Sequence, residues 1–124
     1  MLQIKNYKEA NISEWLPMHG SEAQGISLVK LKNFAADMLK FSPGNKTSLH
    51  THPGNHILFV VEGSGSLLYN NEIYSLTKGI CYLVPGAIVH QITAGKEELI
   101  LMSIADDHKS VTSKDRVKII QDCI

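Results

Sequence analysis

The chain has 124 residues, the size of one domain, and 44% of its residues are hydrophobic while 19% are charged. Its 12 basic and 12 acidic residues balance, so it lacks the basic field by which nucleic acids and membrane surfaces are bound. The N-terminus does not read as a signal peptide, and no uncharged run has the continuity of a membrane span. We therefore predict a cytoplasmic protein with no nucleic-acid or membrane partner, and the slight apolar excess leads us to expect a homodimer.

In chain order, residues 1–25 read as an irregular extension. Residues 11–17 are expected to hold one turn of helix, with Asn11 or Ser13 as its N-cap. A first strand then alternates apolar and polar residues through Ile26 and Leu28, and the alternation shifts by one at Val29. The next strand spans residues 34–41 and ends in the turn-forming sequence SPGN.

Short β-like runs continue through the rest of the chain. They are expected at residues 47–52, 56–62, 66–69, 72–76, 79–84, 88–94 and 97–104. Asn70-Asn71 marks a two-residue hairpin whose residues tolerate positive φ. About nine strands at roughly ten-residue spacing predict an all-β sandwich or small barrel. For residues 113–123 the sequence leaves two alternatives open, a capped helix or a strand swapped to a partner.

Apolar side chains on these strands supply the expected core. Cys81 is predicted to be a buried structural thiol, and Cys123 a free thiol near the C-terminus. The predicted core residues are Leu58, Phe59, Val60, Ile80, Leu83, Val84, Ile88 and Ile92.

Three of the six histidines fall within seven residues, in the sequence HTHPGNH. His50 and His52 point to one face of a strand, and Pro53-Gly54 turns the chain so that His56 approaches from the next strand. His90 lies on the apolar face of another strand, where two ring nitrogens need partners that water does not supply. A lone histidine in such a position is more often a hydrogen-bonded core residue. Four together favour a metal site at His50, His52, His56 and His90.

At this point two motifs resemble those of the cupin superfamily. The first runs from Gly44 through five residues to His50 and His52, then to His56 and Gly63 with the spacing of the first cupin motif. The resemblance implies a double-stranded β-helix, the cupin jelly-roll barrel, with a metal ion inside.

The second motif runs from Gly79 through Pro85 to His90, while Ala87 and Ala94 depart from the pattern. The likeness extends over residues 26–104, so the expected organisation is an N-terminal extension at 1–25, a barrel at 26–104 and a C-terminal tail at 105–124.

His56 stands where many cupins place a glutamate. The chain therefore resembles the tetra-histidine subgroup of small single-domain cupins, some of which hold manganese. Imidazole itself suits iron, nickel, copper and zinc better than manganese. The expected cofactor is one divalent transition metal, with iron, manganese, nickel, copper and zinc left open.

We expect a metal-dependent enzyme that acts on a small molecule, as a dioxygenase or other oxidoreductase or as an isomerase working through a metal-bound enolate. The resemblance carries part of this expectation, because one fold hosts many chemistries. Two alternatives remain: a non-catalytic cupin that holds or senses a small ligand through the metal, and a structural metal.

Other polar residues are not expected to take part in the chemistry. Asp37, Lys40, Tyr69 and Tyr82 are expected to be core, rim or surface residues rather than an acid or base. No ligand role is expected for the two remaining histidines, His19 and His108, which are placed in loops.

Overall fold

The protein is described here by a computed structural model that covers residues 1–121, and these residues form two antiparallel β-sheets. Two single-turn 3-10 helices, Tyr7–Glu9 and Ile12–Glu14, precede the sheets. Asn11, one of the two predicted caps, is the N-cap of the second, and its backbone N–H donates to the Glu14 carboxylate at 2.8 Å. The strands are β1 (Leu16–Pro17), β2 (Gln24–Leu31), β3 (Phe34–Phe41), β4 (Leu49–Thr51), β5 (Asn55–Glu62), β6 (Ser64–Tyr69), β7 (Glu72–Thr77), β8 (Cys81–Pro85), β9 (His90–Ala94), β10 (Leu99–Ala105) and β11 (Lys118–Gln121).

The strands are ordered β1-β2-β3-β10-β5-β8 in one sheet and β11-β4-β9-β6-β7 in the other. Each sheet therefore combines strands distant in the chain, as a jelly-roll requires, and the predicted all-β fold is confirmed. The register shift expected in β2 is present between Ser27 and Val29, where a bulge reverses the side-chain alternation. Asn70 and Asn71 both have positive φ, 50° and 66°, in the hairpin between β6 and β7.

The main core lies between the two sheets and is lined by one face of each contributing strand, while β3 is also buried on its other face. On β10, Leu99 and Leu101 are fully buried, and Ser103 continues the same inward face. Opposite them on β3 lie Leu39 and Phe41. The remaining residues of this cluster are Met18, Ala23, Leu58, Val60, Leu67, Leu76, Val84, Ile92, Ala94 and Val111.

Three predicted core positions are wrong. Leu83 is 69% exposed because it alternates with the inward-facing Val84 on β8, which is a sheet edge. Cys81 is exposed for the same reason, since it shares the outer face with Leu83. Ile88 is 39% exposed because β9 begins only at His90, which leaves Ile88 in the preceding turn. Cys123 lies outside the described residues.

The C-terminal segment returns to the barrel as β11, whose Ile119 pairs with His50 of β4. Over residues 118–121 the helix alternative is therefore wrong, and the strand pairs within its own chain. The boundaries placed at residues 26 and 104 stay predictions. No helix among the described residues is long and apolar enough to cross a membrane.

Candidate metal centre

Strand pairing brings three of the four candidate ligands together. β4 pairs with β9 at a single position, where His50 lies opposite His90, and their ring centroids are 4.4 Å apart. His52 follows the end of β4, and its ring meets that of His90 edge to face at 4.8 Å. One ring nitrogen from each of these three buried side chains lies within 4.8 Å of the others. Such a set has the residue type and spacing that a divalent transition metal requires.

The orientation of these rings is fixed through their Nδ1 atoms. Nδ1 of His50 lies 2.7 Å from the carbonyl oxygen of Ser48, and Nδ1 of His90 lies 2.7 Å from that of Ile88. Because a carbonyl only accepts, each Nδ1 carries the proton and donates it, which leaves the lone pair on Nε2. His52 makes a longer contact of the same kind, 3.3 Å to the carbonyl of Pro53. Metal-binding histidines are held by second hydrogen bonds of this type.

The cluster is held in the neutral form that a metal needs. Burial, and then the charge of His90, lowers the pKa of His50 to about 3 and that of His52 to about 4. Burial also lowers the pKa of His90. Burial, followed by the charge of His52, lowers the pKa of His56 to about 2. Near neutral pH all four imidazoles therefore offer a lone pair rather than a charge.

His56 lies beside the three-nitrogen set rather than within it. Its ring stacks on that of His52, with centroids 3.9 Å apart and planes 22° apart. Its Nδ1 is 3.2 Å from the hydroxyl of Ser103, which faces the same interior from β10. The structure thus brings His56 to the same cavity, with its Nδ1 against a hydroxyl that can donate or accept rather than against a carbonyl, and its role as a fourth ligand stays a prediction.

Two glycines allow the backbone to approach His52 closely. A Cβ at Gly86 would meet the carbonyl oxygen and Nδ1 of His52 and the carbonyl oxygen of Gly54. The backbone carbonyl of Gly86 also accepts a hydrogen bond from the backbone N–H of His52 at 2.9 Å. Gly54 has a φ of 68°, a left-handed conformation that favours glycine. The turn after β8 therefore positions His52 through backbone contact.

The four histidines surround a cavity of about 30 Å³. This volume suits an ion and one or two water-sized groups, since a single water needs about 10–15 Å³. A larger cavity of about 200 Å³ lies between β6 and β8, where the ring of Tyr69 is 6.0 Å from that of His90. The other lining residues of the smaller cavity are Met18, Leu39, Thr47, Leu58, Val84, Ile92, Arg116 and Val117.

A buried polar cluster next to the centre was missed from the sequence. Asp37, 1% exposed, accepts hydrogen bonds at its Oδ2 from His108 Nε2 and Arg116 Nη1, both at 2.9 Å. His108 lies in a loop, as predicted, but its side chain is buried. The sequence signal for this cluster was Asp37 itself, because a charge on the otherwise apolar inward face of β3 requires a buried partner.

Comparisons with known proteins agree with this architecture. The model of the Cupin domain family matches residues 37–105, more than half of the chain and including all four histidines. The chain belongs to the cupin domain family. No curated protein matches it in sequence.

Solved structures show the same fold. KdgF from Halomonas sp. superposes with a TM-score of 0.76 at 18% identity, covering 89% of this chain and 97% of that one. The polyketide cyclase RemF from Streptomyces resistomycificus gives 0.75 at 18% identity, covering 97% and 86%. A salicylate 1,2-dioxygenase from Pseudaminobacter salicylatoxidans gives 0.63 at 21% identity, covering 68% of this chain but only 26% of that one. The double-stranded β-helix of the cupins is thus the fold of this protein.

Proposed function

We propose that the chain binds one divalent transition metal ion through His50, His52 and His90, with His56 as a fourth ligand. The observation that carries this proposal is the set of three buried ring nitrogens within 4.8 Å of one another. The hydrogen-bonded Nδ1 atoms of His50 and His90 support it, because they leave the lone pair of each Nε2 available to bind a metal. Iron, nickel, copper and zinc suit imidazole ligands, and manganese rests on the family resemblance.

We further propose that the metal-loaded protein is an enzyme acting on a small molecule, by oxygen-dependent oxidation or by isomerisation. Such an ion, when bound, supplies Lewis-acid polarisation of a substrate oxygen or, if redox-active, activation of dioxygen. The chain contributes imidazoles of fixed orientation and a small cavity whose walls between the histidines are apolar. No Asp or Glu lines the cavity in the described part of the chain, so proton transfer by a carboxylate is not part of this proposal. One structural neighbour is a dioxygenase, which is the reaction type of the first option.

The alternative is a cupin that holds or senses a small ligand without turning it over. The described lining of the histidine cavity contains no Asp or Glu, which favours this alternative, because turnover would then lack a carboxylate as general acid or base.

The first experiment measures metal binding by untagged protein stripped with a chelator and reloaded separately with each of the five candidate metals. Elemental analysis is expected to give one ion per chain for at least one metal. His90→Ala should abolish this stoichiometric binding, while His19→Ala, a histidine outside the cavity, should leave it unchanged. Equal binding by both variants, or none by the wild type, would contradict the metal site.

The second experiment separates enzyme from binding module. Oxygen consumption and substrate loss are followed with a panel of small hydroxylated and oxo compounds for each metal-loaded form. Turnover that disappears in His90→Ala supports the enzyme. Saturable binding without turnover of any ligand that binds would support the alternative instead.

A further inference from the structure

The cavity of the histidines contains one permanently charged side chain, Arg116. We propose that Arg116 binds the carboxylate group of the small molecule that enters this cavity, so that the ligands of this protein are organic acids. This inference rests on the proposed function, because the ligand would share the cavity with the metal ion.

The position of Arg116 depends on the segment before β11. Its backbone N–H donates to Ser113 at 3.2 Å in a turn, and β11 then runs beside β4, the strand that carries His50. The side chain is only 5% exposed, and it lines the cavity together with the histidines. A guanidinium is therefore enclosed beside the candidate metal centre rather than extended into solvent.

The protein uses only one nitrogen of this guanidinium as a side-chain hydrogen-bond donor. Both of its hydrogen bonds use Nη1, one to Asp37 at 2.9 Å and one to the carbonyl of Lys109 at 2.8 Å. Nε and Nη2 have no hydrogen-bond partner among residues 1–121, and neither atom is fully enclosed by the protein. These two nitrogens therefore border open space. Nε and Nη2 form the edge that binds a carboxylate through two parallel hydrogen bonds.

The charges of the cavity also favour an anion. Its four imidazoles are neutral, and no carboxylate is among its described lining residues. The positive charges of a bound divalent ion and of Arg116 are therefore not compensated from within the cavity. Asp37 compensates the guanidinium from one side, but its Oδ2 is shared with His108. A second anion on the cavity side would bring the local charge closer to zero. A neutral ligand of the same shape would gain nothing from this field.

The volume of the cavity limits which part of the ligand Arg116 meets. About 30 Å³ holds an ion and one or two water-sized groups, so only the two oxygen atoms of a carboxylate would enter beside the metal, and the rest of the ligand would lie outside. Formate and acetate, with formamide and acetamide as neutral counterparts of matching shape, are therefore suitable probes.

Arg116 is the only arginine of the chain, so its side-chain Nε–H gives a single resonance in an ¹⁵N-labelled sample. We expect acetate to shift this resonance saturably in zinc-loaded protein, while acetamide at equal concentration leaves it in place. An unmoved resonance in protein that holds one zinc per chain would overturn the inference and leave the metal site standing. A shift in protein that binds no zinc would support the carboxylate site and contradict the proposed metal function.

Variants separate recognition from a purely structural ion pair. Arg116→Lys keeps a charge but loses the two-nitrogen edge, and we expect acetate to bind about tenfold more weakly, measured from the imidazole resonances of zinc-loaded protein. Asp37→Asn retains the arginine and a hydrogen-bond acceptor, so acetate should still be preferred over acetamide.

The double variant Asp37→Asn with Arg116→Met removes both charges and so avoids leaving one buried alone. It should keep zinc and lose the preference for acetate. If the double variant prefers acetate as strongly as the wild type does, Arg116 serves only to anchor the tail and the inference is wrong.

Discussion

At the scale of single residues, the candidate centre depends on groups that contact Nδ1 of each imidazole. Nδ1 of His50 and of His90 each donate to a backbone carbonyl two residues earlier in the chain. The same local geometry on two paired strands directs both Nε2 atoms to the shared cavity. For His52 and His56 the supporting groups come from elsewhere, namely the Gly86 turn and Ser103.

Gly86→Ala should disturb His52 directly. The new Cβ would meet the carbonyl oxygen and ring of His52, and the backbone there has no room to move freely. We expect metal affinity to fall at least tenfold and stability by about 1–3 kcal/mol, as for an overpacked site. Metal competition titration and urea unfolding measure the two effects.

Gly44→Ala is the matched control. Gly44 has a φ of 76° but open space around its Cβ position, so the substitution strains the backbone without touching the histidines. It should lower stability by about 1 kcal/mol and leave metal affinity unchanged. Equal metal affinity in both variants would show that Gly86 does not position His52.

Ser103→Ala tests whether His56 is a ligand. If His56 binds the metal, loss of its Nδ1 partner is expected to weaken metal binding about 10- to 100-fold, because the partner orients the ring. Ser27→Ala, an exposed serine on β2, serves as the control. Metal affinity that is identical in the two variants would remove His56 from the ligand set.

Individual residues of the site also show which of its features could be predicted from the sequence. His50 and His52 were predicted to share a face from strand alternation, and His90 was predicted to join them from the apolar face of its strand; the structure brings these three rings together, while their role as ligands stays a prediction. The stacking of His56 on His52 was not predicted, since ring orientation depends on Ser103 of β10, far away in the chain. The burial of His108 was not predicted either, because its partner Asp37 is brought to it only by tertiary contact.

At the scale of elements, the tail is fastened to the barrel through Asp37 on β3. Its carboxylate bonds His108 and Arg116, which lie before and after the turn that leads into β11. The same turn places Arg116 at the cavity, so the attachment of the tail and the composition of the site depend on one another.

Asp37→Ala should therefore release the tail. It leaves the guanidinium of Arg116 buried without a counter-charge, and removal of one partner from a buried pair costs about 3–5 kcal/mol. Urea unfolding measures the loss. Asp115→Ala, an exposed carboxylate next to Arg116 in sequence, should change stability by less than about 0.5 kcal/mol. A small effect of Asp37→Ala would mean that the ion pair does not hold the segment.

Most strands were predictable because alternation and turn residues agree locally, as in β2 with its bulge and in the Asn70-Asn71 hairpin. β11 was left undecided between a helix and a strand swapped to a partner, because its sequence KIIQ carries no alternation of apolar and polar residues. Its conformation follows from pairing with β4, a long-range contact that local sequence does not contain. Leu83 and Cys81 were predicted to be buried and are exposed, because β8 lies at a sheet edge and buries only one of its faces.

At the scale of the whole molecule, the buried histidines make stability depend on pH in the metal-free protein. The folded state holds the pKa of His50 at about 3 and that of His52 at about 4, while the unfolded chain has the ordinary value of 6.5. Below pH 6.5 the unfolded state binds protons that the folded state does not, so unfolding becomes more favourable as the pH falls towards those lower values.

The free energy of unfolding of metal-free protein should thus be level above pH 7 and should decrease progressively from about pH 6.5 towards pH 4. Denaturant titrations at several pH values measure it. His19→Ala should show the same decrease, while a variant that replaces His50 and His90 with alanine should show a smaller one. A wild-type stability that stays constant or rises over this interval would contradict the burial of neutral imidazoles.

The most direct test of the account is X-ray absorption spectroscopy of untagged, zinc-reconstituted protein, combined with elemental analysis. We predict one zinc per chain with at least three imidazole ligands at about 2.0–2.1 Å, and no sulfur ligand. The same spectrum from His90→Ala should show fewer imidazoles or no stoichiometric zinc. A wild-type spectrum without imidazole scattering, or one dominated by sulfur, would contradict a histidine metal centre at His50, His52 and His90.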